Sequence, residues 1–304
     1  MLGLLTIMHP LVDACSMCVL AAGGMTWNRI LLYNVVAFAM QLPLGVVLDA
    51  RPRLARIAIF AGPGLVSAAT LAAATGLGGW GVLCAVCFGN ALFHLAAGKH
   101  VLEVHGGRSG PIGLFISTGA LGLLAGRLGA ERWAALCLPA FALTLLAATC
   151  VAMISHGRGV AAEDAETAPA AFPDVGGIAD IAVLAVLFAL VAWRSGVGLE
   201  ASRLTSAAGT TLLFAGTVAT LCGKIAGGYV AERFGRWKVT VASVCGSAFL
   251  AFAASPHAAV LWLVLLFVAQ LATGPVLSLV HDRLCRRGGT AFGFNCLGLF
   301  AGSF

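Results

Sequence analysis

Ten stretches of 16 to 25 mostly apolar residues follow one another with only short polar joints between them, at residues 2–22, 30–48, 57–77, 79–98, 111–126, 133–154, 178–193, 206–230, 239–254 and 258–280. An α-helix of about 20 such residues crosses the ~30 Å hydrocarbon layer of a bilayer. A soluble domain has nothing to bury ten such helices against, so the surrounding solvent is lipid. Composition agrees, since only 10% of residues are charged and mean hydropathy is +0.99, where soluble domains carry about 25% charged residues. The same surplus of apolar residues excludes a disordered chain. The 39 glycines among 304 residues are close to twice the usual ~7% and suit close helix packing in a membrane.

We therefore expect an all-α membrane protein with about ten complete helices. An eleventh apolar run opens at residue 291 and has 14 residues up to Phe304, about 21 Å of helix, which is short of a full crossing. On this reading the chain is truncated within helix 11. No basic residue precedes the first run, and Asp13 interrupts it, which argues against a cleaved signal peptide. Pro10, Pro43 and Pro275 fall inside spans, where neighbouring helices satisfy the freed backbone groups. Nine of the ten cysteines lie within apolar runs. The C-x-x-C pairs Cys15/Cys18 and Cys84/Cys87 are accordingly read as small packing residues rather than as metal or redox sites.

The longest hydrophilic stretch, 156–174, holds Glu163, Asp164, Glu166 and Asp174 amid alanines and prolines. It reads as a cytoplasmic linker, 155–177, between an N-terminal six-helix half at 1–154 and a C-terminal half at 178–304. Loops after helices 2, 4, 6, 8 and 10 hold Arg51, Arg53, Arg56, Lys99, Arg108, Arg158, Arg233, Arg236, Lys238, Arg283, Arg286 and Arg287. Those are twelve of eighteen Lys and Arg residues. Arg29, Arg127, Arg132, Arg194 and Arg203 are assigned to the opposite side, with Lys224 inside a span. The positive-inside rule then places the N-terminus in the cytoplasm and the chain as a multi-pass protein of the inner (plasma) membrane. Scattered basic clusters of this kind explain the net charge of +6 without nucleic acid.

The halves repeat each other. ALGLLAG at 120–126 recurs as CLGLFAG at 296–302, an offset of 176, and Asp49 is matched by Glu232, an offset of 183. A parallel repeat of six-helix halves predicts a solute site near the bilayer midplane. The segment GGYVAERFGRWK, 227–238, resembles the signature loop of the major facilitator superfamily through Gly228, Glu232, Arg233, Gly235 and Arg236. In the first half, PLGVVLDARPRLAR at 43–56 keeps Gly45, Asp49 and Arg51 but lacks the internal glycine and the usual order of basic residues. HPLVD at 9–13, ALFH at 91–94 and GGRSG at 106–110 are similar to the fosmidomycin-resistance branch of that superfamily. The acid that often follows the ALFH-type segment there is absent, Leu95-Ala96-Ala97 standing in its place. This resemblance implies a major facilitator fold and secondary transport, with export of a small organic compound the implied direction.

Charges inside a membrane cost ~2.5–3.5 kcal/mol each on insertion scales, so they face a partner or a polar pathway. Asp13 lies four residues after His9 on one helical face, and a His–Asp pair can change protonation in the physiological range. Asp13 with His9 or His94 is therefore expected to carry a coupling proton; the bland alternative is a hydrogen-bonded structural network. Asn90 lies one turn before His94, pointing the same way. Lys224 either snorkels or contacts substrate. Asn34, Gln41, Gln270 and Asn295 are weaker members of a proton or substrate pathway, each also suited to helix–helix hydrogen bonds. The patterns Gly122–Gly126, Gly223–Gly227 and Gly298–Gly302 are packing signals. Phosphate-loop, HExxH and GxSxG motifs are missing from the sequence. We expect no cofactor, no metal and no enzymatic activity. The partners expected are a small solute, protons and lipid, around a monomer. Proton symport into the cell is the alternative within this class; a membrane-embedded enzyme or a non-transporting sensor are alternatives from others.

Overall fold

A computed structural model describes residues 1–162, 177–253 and 258–303, with the side chains of 156–162 left aside. The linker acids Glu163, Asp164, Glu166 and Asp174 lie outside the described residues. Every element among the described residues is helical: α1 (Leu2–Ala22), α2 (Trp27–Asn34), a π-helical turn (Val35–Ala39), α3 (Gln41–Ala50), α4 (Pro52–Ala74), α5 (Trp80–Val104), α6 (Ser109–Ser117), α7 (Gly119–Ala162), α8 (Ile178–Ala207), α9 (Thr210–Phe234), α10 (Arg236–Ala253), α11 (Ala259–Gln270), α12 (Thr273–Arg283) and α13 (Gly288–Ala301). Among them, eight helical segments are long and apolar enough to cross a membrane. One of the eight, Ser109–Ser155, has 47 residues, about 70 Å of helix and enough for two crossings. The backbone of α7 leaves helical geometry at Trp133, the first residue of the expected run 133–154. The chain is a multi-pass membrane protein.

Glycines mark the sharpest joints, with Gly209 at φ +113° and Gly235 at φ +100° where α9 begins and ends, conformations open to a residue without Cβ. Two expected boundaries shift. The seventh run does not end at residue 193, because α8 continues to Ala207 and places Arg194 in its middle and Arg203 in its last turns. Its buried face continues through the charge as Leu187, Val191, Arg194, Ala201 and Thr205, so helical periodicity outlasts the drop in hydropathy. Likewise Lys99 is not in a loop, since α5 runs on to Val104 and Lys99 is buried within it.

The helices group into two compact units. One comprises Met1–His100, Thr118–Phe172 and Gly288–Gly293, the other Val101–Ser117, Pro173–Arg287 and Phe294–Phe304. In the first, α1 packs between α7 and α4, and Cys18, Val19, Ala69, Val86 and Leu138 form part of the core. Gly122 and Gly126 of α7 lie so close to α1 that an added Cβ would strike the carbonyl oxygens of Pro10 and Ala14. In the second, α9 packs on α6 and α11. Gly223 and Gly227 meet the α11 end at the Phe267 and Leu271 carbonyls, and Gly302, which follows α13, meets the Ala192 carbonyl of α8. Glycines at matching repeat positions thus bring α7 onto α1 and α13 onto α8.

Candidate functional site: a buried carboxylate between two histidines

Pro10 lacks the N–H that would bond the Thr6 carbonyl within α1. The Thr118 hydroxyl, at the break before α7, donates to that carbonyl at 3.0 Å. Beside it Gly119 gives α7 no side chain, and a Cβ there would collide with Asp13 Oδ2 and lie 2.6 Å from His9 Nε2. The helix irregularity therefore leaves room for a polar cluster in the first unit. His9 Nε2 is 3.2 Å from Asp13 Oδ2 and His94 Nε2 is 3.3 Å from Asp13 Oδ1. Asn90 donates to Asp13 Oδ1 at 3.2 Å and to the Ser16 hydroxyl at 3.0 Å, while Ser16 donates to the Val12 carbonyl at 2.8 Å. The two imidazole rings meet edge to face with centroids 4.4 Å apart. His9, Asp13, Ser16, Asn90 and His94 are all at least nine-tenths buried.

His94 Nδ1 stands 2.9 Å from the Asn90 carbonyl, which only accepts, so this nitrogen carries a proton. Its Nε2 then faces the Asp13 carboxylate, a second acceptor. A neutral imidazole has one N–H. Both contacts of the His94 ring are met as hydrogen bonds when one further proton sits on His94 or on Asp13. The same three residues offer one donor atom each within 4.8 Å of one another, a two-histidine, one-carboxylate set suited in type to a transition metal.

The two signature acids cap helices. Asp49, near the end of α3, accepts from the Gly289 N–H at 2.9 Å, the Thr290 N–H at 2.7 Å and the Thr290 hydroxyl at 2.7 Å. Lys99 donates to it at 2.9 Å. Glu232, near the end of α9, accepts from the Gly110 N–H at 2.9 Å and from Arg108 at 2.6 Å, an ion pair that raises the guanidinium pKa of exposed Arg108. Each carboxylate thus meets the positive end of a helix, α13 or α6, where anions are favoured. Gly45 and Gly228 permit the approach, because a Cβ on either would strike the backbone of Gly289 or approach that of Ser109. The basic partners differ from the simple loop pattern. Arg51 is exposed, Arg233 lies 5.7 Å from the Phe234 ring, and Arg236 binds Asp282 and, at 3.0 Å, the Gly107 carbonyl.

The remaining sequence candidates do not join the Asp13 cluster through any bond described above. Gln41 donates to the Ala37 carbonyl of the π turn at 2.5 Å, and half-buried Asn34 ends α2 where that turn begins. Lys224 donates to the Ile116 carbonyl at 3.1 Å, at the end of α6. Gln270 accepts from Arg194 at 2.9 Å, and Asn295 is buried on α13 with its Oδ1 unpartnered. Sequence reasoning overlooked Ser16, Lys99, Thr273 and Arg194; the continuing buried face of α8 was the available signal for the last.

No family model and no curated protein matches the sequence. Solved structures do. The transporter FucP in its outward conformation superposes with a TM-score of 0.65 at 14% identity, over 99% of this chain and 89% of that one. The human organic anion transporter MFSD10 (TETRAN) gives 0.63 at 15% identity, over 99% and 91%. A bacterial homologue of the iron transporter ferroportin, outward-facing, gives 0.54 at 14%, over 99% and 89%. All are similar along nearly their whole length. The chain has the major facilitator fold. Within that fold the first unit holds the Asp49-capped end of α13 and the His–Asp–His cluster, and the second unit holds the Glu232-capped end of α6.

Proposed function

We propose that this protein is a secondary active transporter that moves a small organic solute by alternating access and couples the movement to protons at the His9–Asp13–His94 cluster. The observation that carries the reading is the hydrogen bonding of His94, whose two ring nitrogens both face acceptors and so need a proton beyond the neutral tautomer. Burial at this depth makes the charge state consequential, since an isolated ionised carboxylate in a membrane span is costly. Protonation and solute binding can therefore favour different conformers.

The Asp49 and Glu232 caps fit this reading as latches that hold helix ends on the basic, cytoplasmic face and release when that face opens. We take the six-helix halves at 1–154 and 178–304 as the moving bodies, the inner membrane as the location and a cytoplasmic N-terminus as the orientation, on the loop charges counted above. Export is the direction we adopt; symport into the cell is its rival. Solved neighbours in this fold include FucP, which one structure describes as a fucose:proton symporter of E. coli, and that precedent is compatible with either direction.

Reconstitution in proteoliposomes tests the reading. With an imposed pH gradient, labelled solutes from a small-molecule panel should move against their own gradient, and the sign of the gradient that drives them separates export from symport. Asp13→Asn should abolish the gradient-driven component while leaving the chain folded. Accumulation by Asp13→Asn equal to the parent would remove Asp13 from the mechanism, and absence of flux for the whole panel would favour the sensor reading.

A further inference from the structure

The described acids of the second unit that form ion pairs have cationic partners at or near helix ends: Glu232 with Arg108, Asp282 with Arg236, Asp180 with Arg283 and Glu200 with Arg203. Arg194 is different. It lies at the middle of the 30-residue α8, is 6% exposed, and has no carboxylate partner among the described residues. An unpaired cation at that depth is among the least favourable placements a membrane helix can make.

The guanidinium is nevertheless held in one orientation. Nη1 donates to Gln270 Oε1 and to Thr273 Oγ1, both at 2.9 Å, and Thr273 donates in turn to Gln270 at 2.9 Å. These partners stand on either side of the interruption between α11 and α12 and are neutral, so they aim the group without cancelling its charge. Nη2 is buried with no hydrogen-bond partner. Gly198 is one turn further along the same face, and a Cβ there would meet only Gln270 Nε2, at 3.5 Å. The guanidinium thus combines a fixed orientation with a buried donor that no protein acceptor meets.

We propose that Arg194 is the anchor for the carboxylate of an organic monoanion, and that such monoanions are the solute class this protein carries. Arg is suited to planar oxyanions because its fork presents parallel N–H donors. Charge balance selects the monoanion, since one carboxylate neutralises the site whereas a dianionic phosphate would leave a net negative charge at the same depth. The transport half of this statement rests on the reading given under Proposed function; the binding half does not.

Binding is tested on the purified full-length chain in detergent, by thermal unfolding at fixed ionic strength. The probes are sodium monocarboxylates (aliphatic, hydroxylated and aromatic), their neutral amides, and inorganic phosphate. At least one carboxylate should raise the unfolding temperature while its amide does not, and Arg194→Gln should weaken that binding by about 10- to 100-fold. Without ligand, Arg194→Gln should unfold at the same temperature as the parent or higher, because it removes an unpaired buried charge; Arg194→Lys keeps the charge and serves as the second variant. Stabilisation by phosphate but by no carboxylate would overturn the proposal, as would carboxylate binding undiminished in Arg194→Gln, no response to any anion, or an Arg194→Gln chain that loses stability without ligand while Arg194→Lys does not. Proteoliposome flux is read separately, so loss of transport with carboxylate binding intact would fault the transport reading alone.

Discussion

Asp49 collects four donors, two backbone N–H groups, one hydroxyl and the Lys99 ammonium, and the Asp49 and Lys99 side chains are 4% and 9% exposed. Removing one member of a buried pair strands the other, at a cost of about 3–5 kcal/mol. Asp49→Asn and Lys99→Met should each lower stability by that order. The double variant should recover part of the loss, because no charge is then left alone; chemical or thermal unfolding of the four proteins measures the coupling, and strict additivity would contradict it. The exposed Arg127–Glu131 pair should show almost none, as surface pairs are worth ~0–1 kcal/mol. Single residues were legible in the sequence where spacing alone decides contact. His9 and Asp13 share a face at i, i+4, and Asn90 and His94 do the same on α5. What spacing does not contain is the meeting of α1 with α5, which makes one carboxylate serve both histidines. Arg194 was misplaced because a hydropathy run ends at a charge, although a helix with a neutral polar partner across from that charge does not.

Elements in this chain are interrupted where polar groups are placed. The π turn before α3 is answered by Gln41, the gap between α6 and α7 by Lys224 and Thr118, and the gap between α11 and α12 by Arg194, Gln270 and Thr273. In a bilayer no water satisfies a freed carbonyl, which is the place of the Gln41 bond to Ala37 and the Lys224 bond to Ile116; at the α11–α12 gap the bonds instead join side chains. The glycine spacings that pack α7 on α1 and α13 on α8 were legible as patterns, because small residues four apart form a flat strip. The interruptions were legible only in part: Gly119 and Gly274-Pro275 mark the sites, but an isolated Gly or Pro inside an apolar run does not say whether the helix bends or stops. Packing predicts a contrast between two glycines. Gly126→Ala would drive a Cβ into the Ala14 backbone and should cost about 1–3 kcal/mol. Gly64→Ala meets nothing within 4 Å and should be neutral or stabilising by up to ~1 kcal/mol. Equal unfolding temperatures for the two variants in detergent would contradict the close α1–α7 approach.

At the scale of the whole molecule, the repeat noticed in short strings of sequence extends to function-bearing geometry. Asp49 caps α13 as Glu232 caps α6, with Gly45 and Gly228 opening the way in each. The polar centres break that symmetry. The first unit holds a buried carboxylate between two imidazoles, the second a buried guanidinium with a free donor. On the proposed function, a carboxylate that exchanges a proton and a cation that receives an anion meet complementary demands of one transport cycle, and duplicated halves supply both only where they diverge. The most direct test follows internal pH in sealed proteoliposomes with a trapped indicator while solute is added, comparing the parent with Asp13→Asn. The account predicts a solute-dependent proton movement in the parent that disappears in Asp13→Asn; the same movement in both proteins would contradict it.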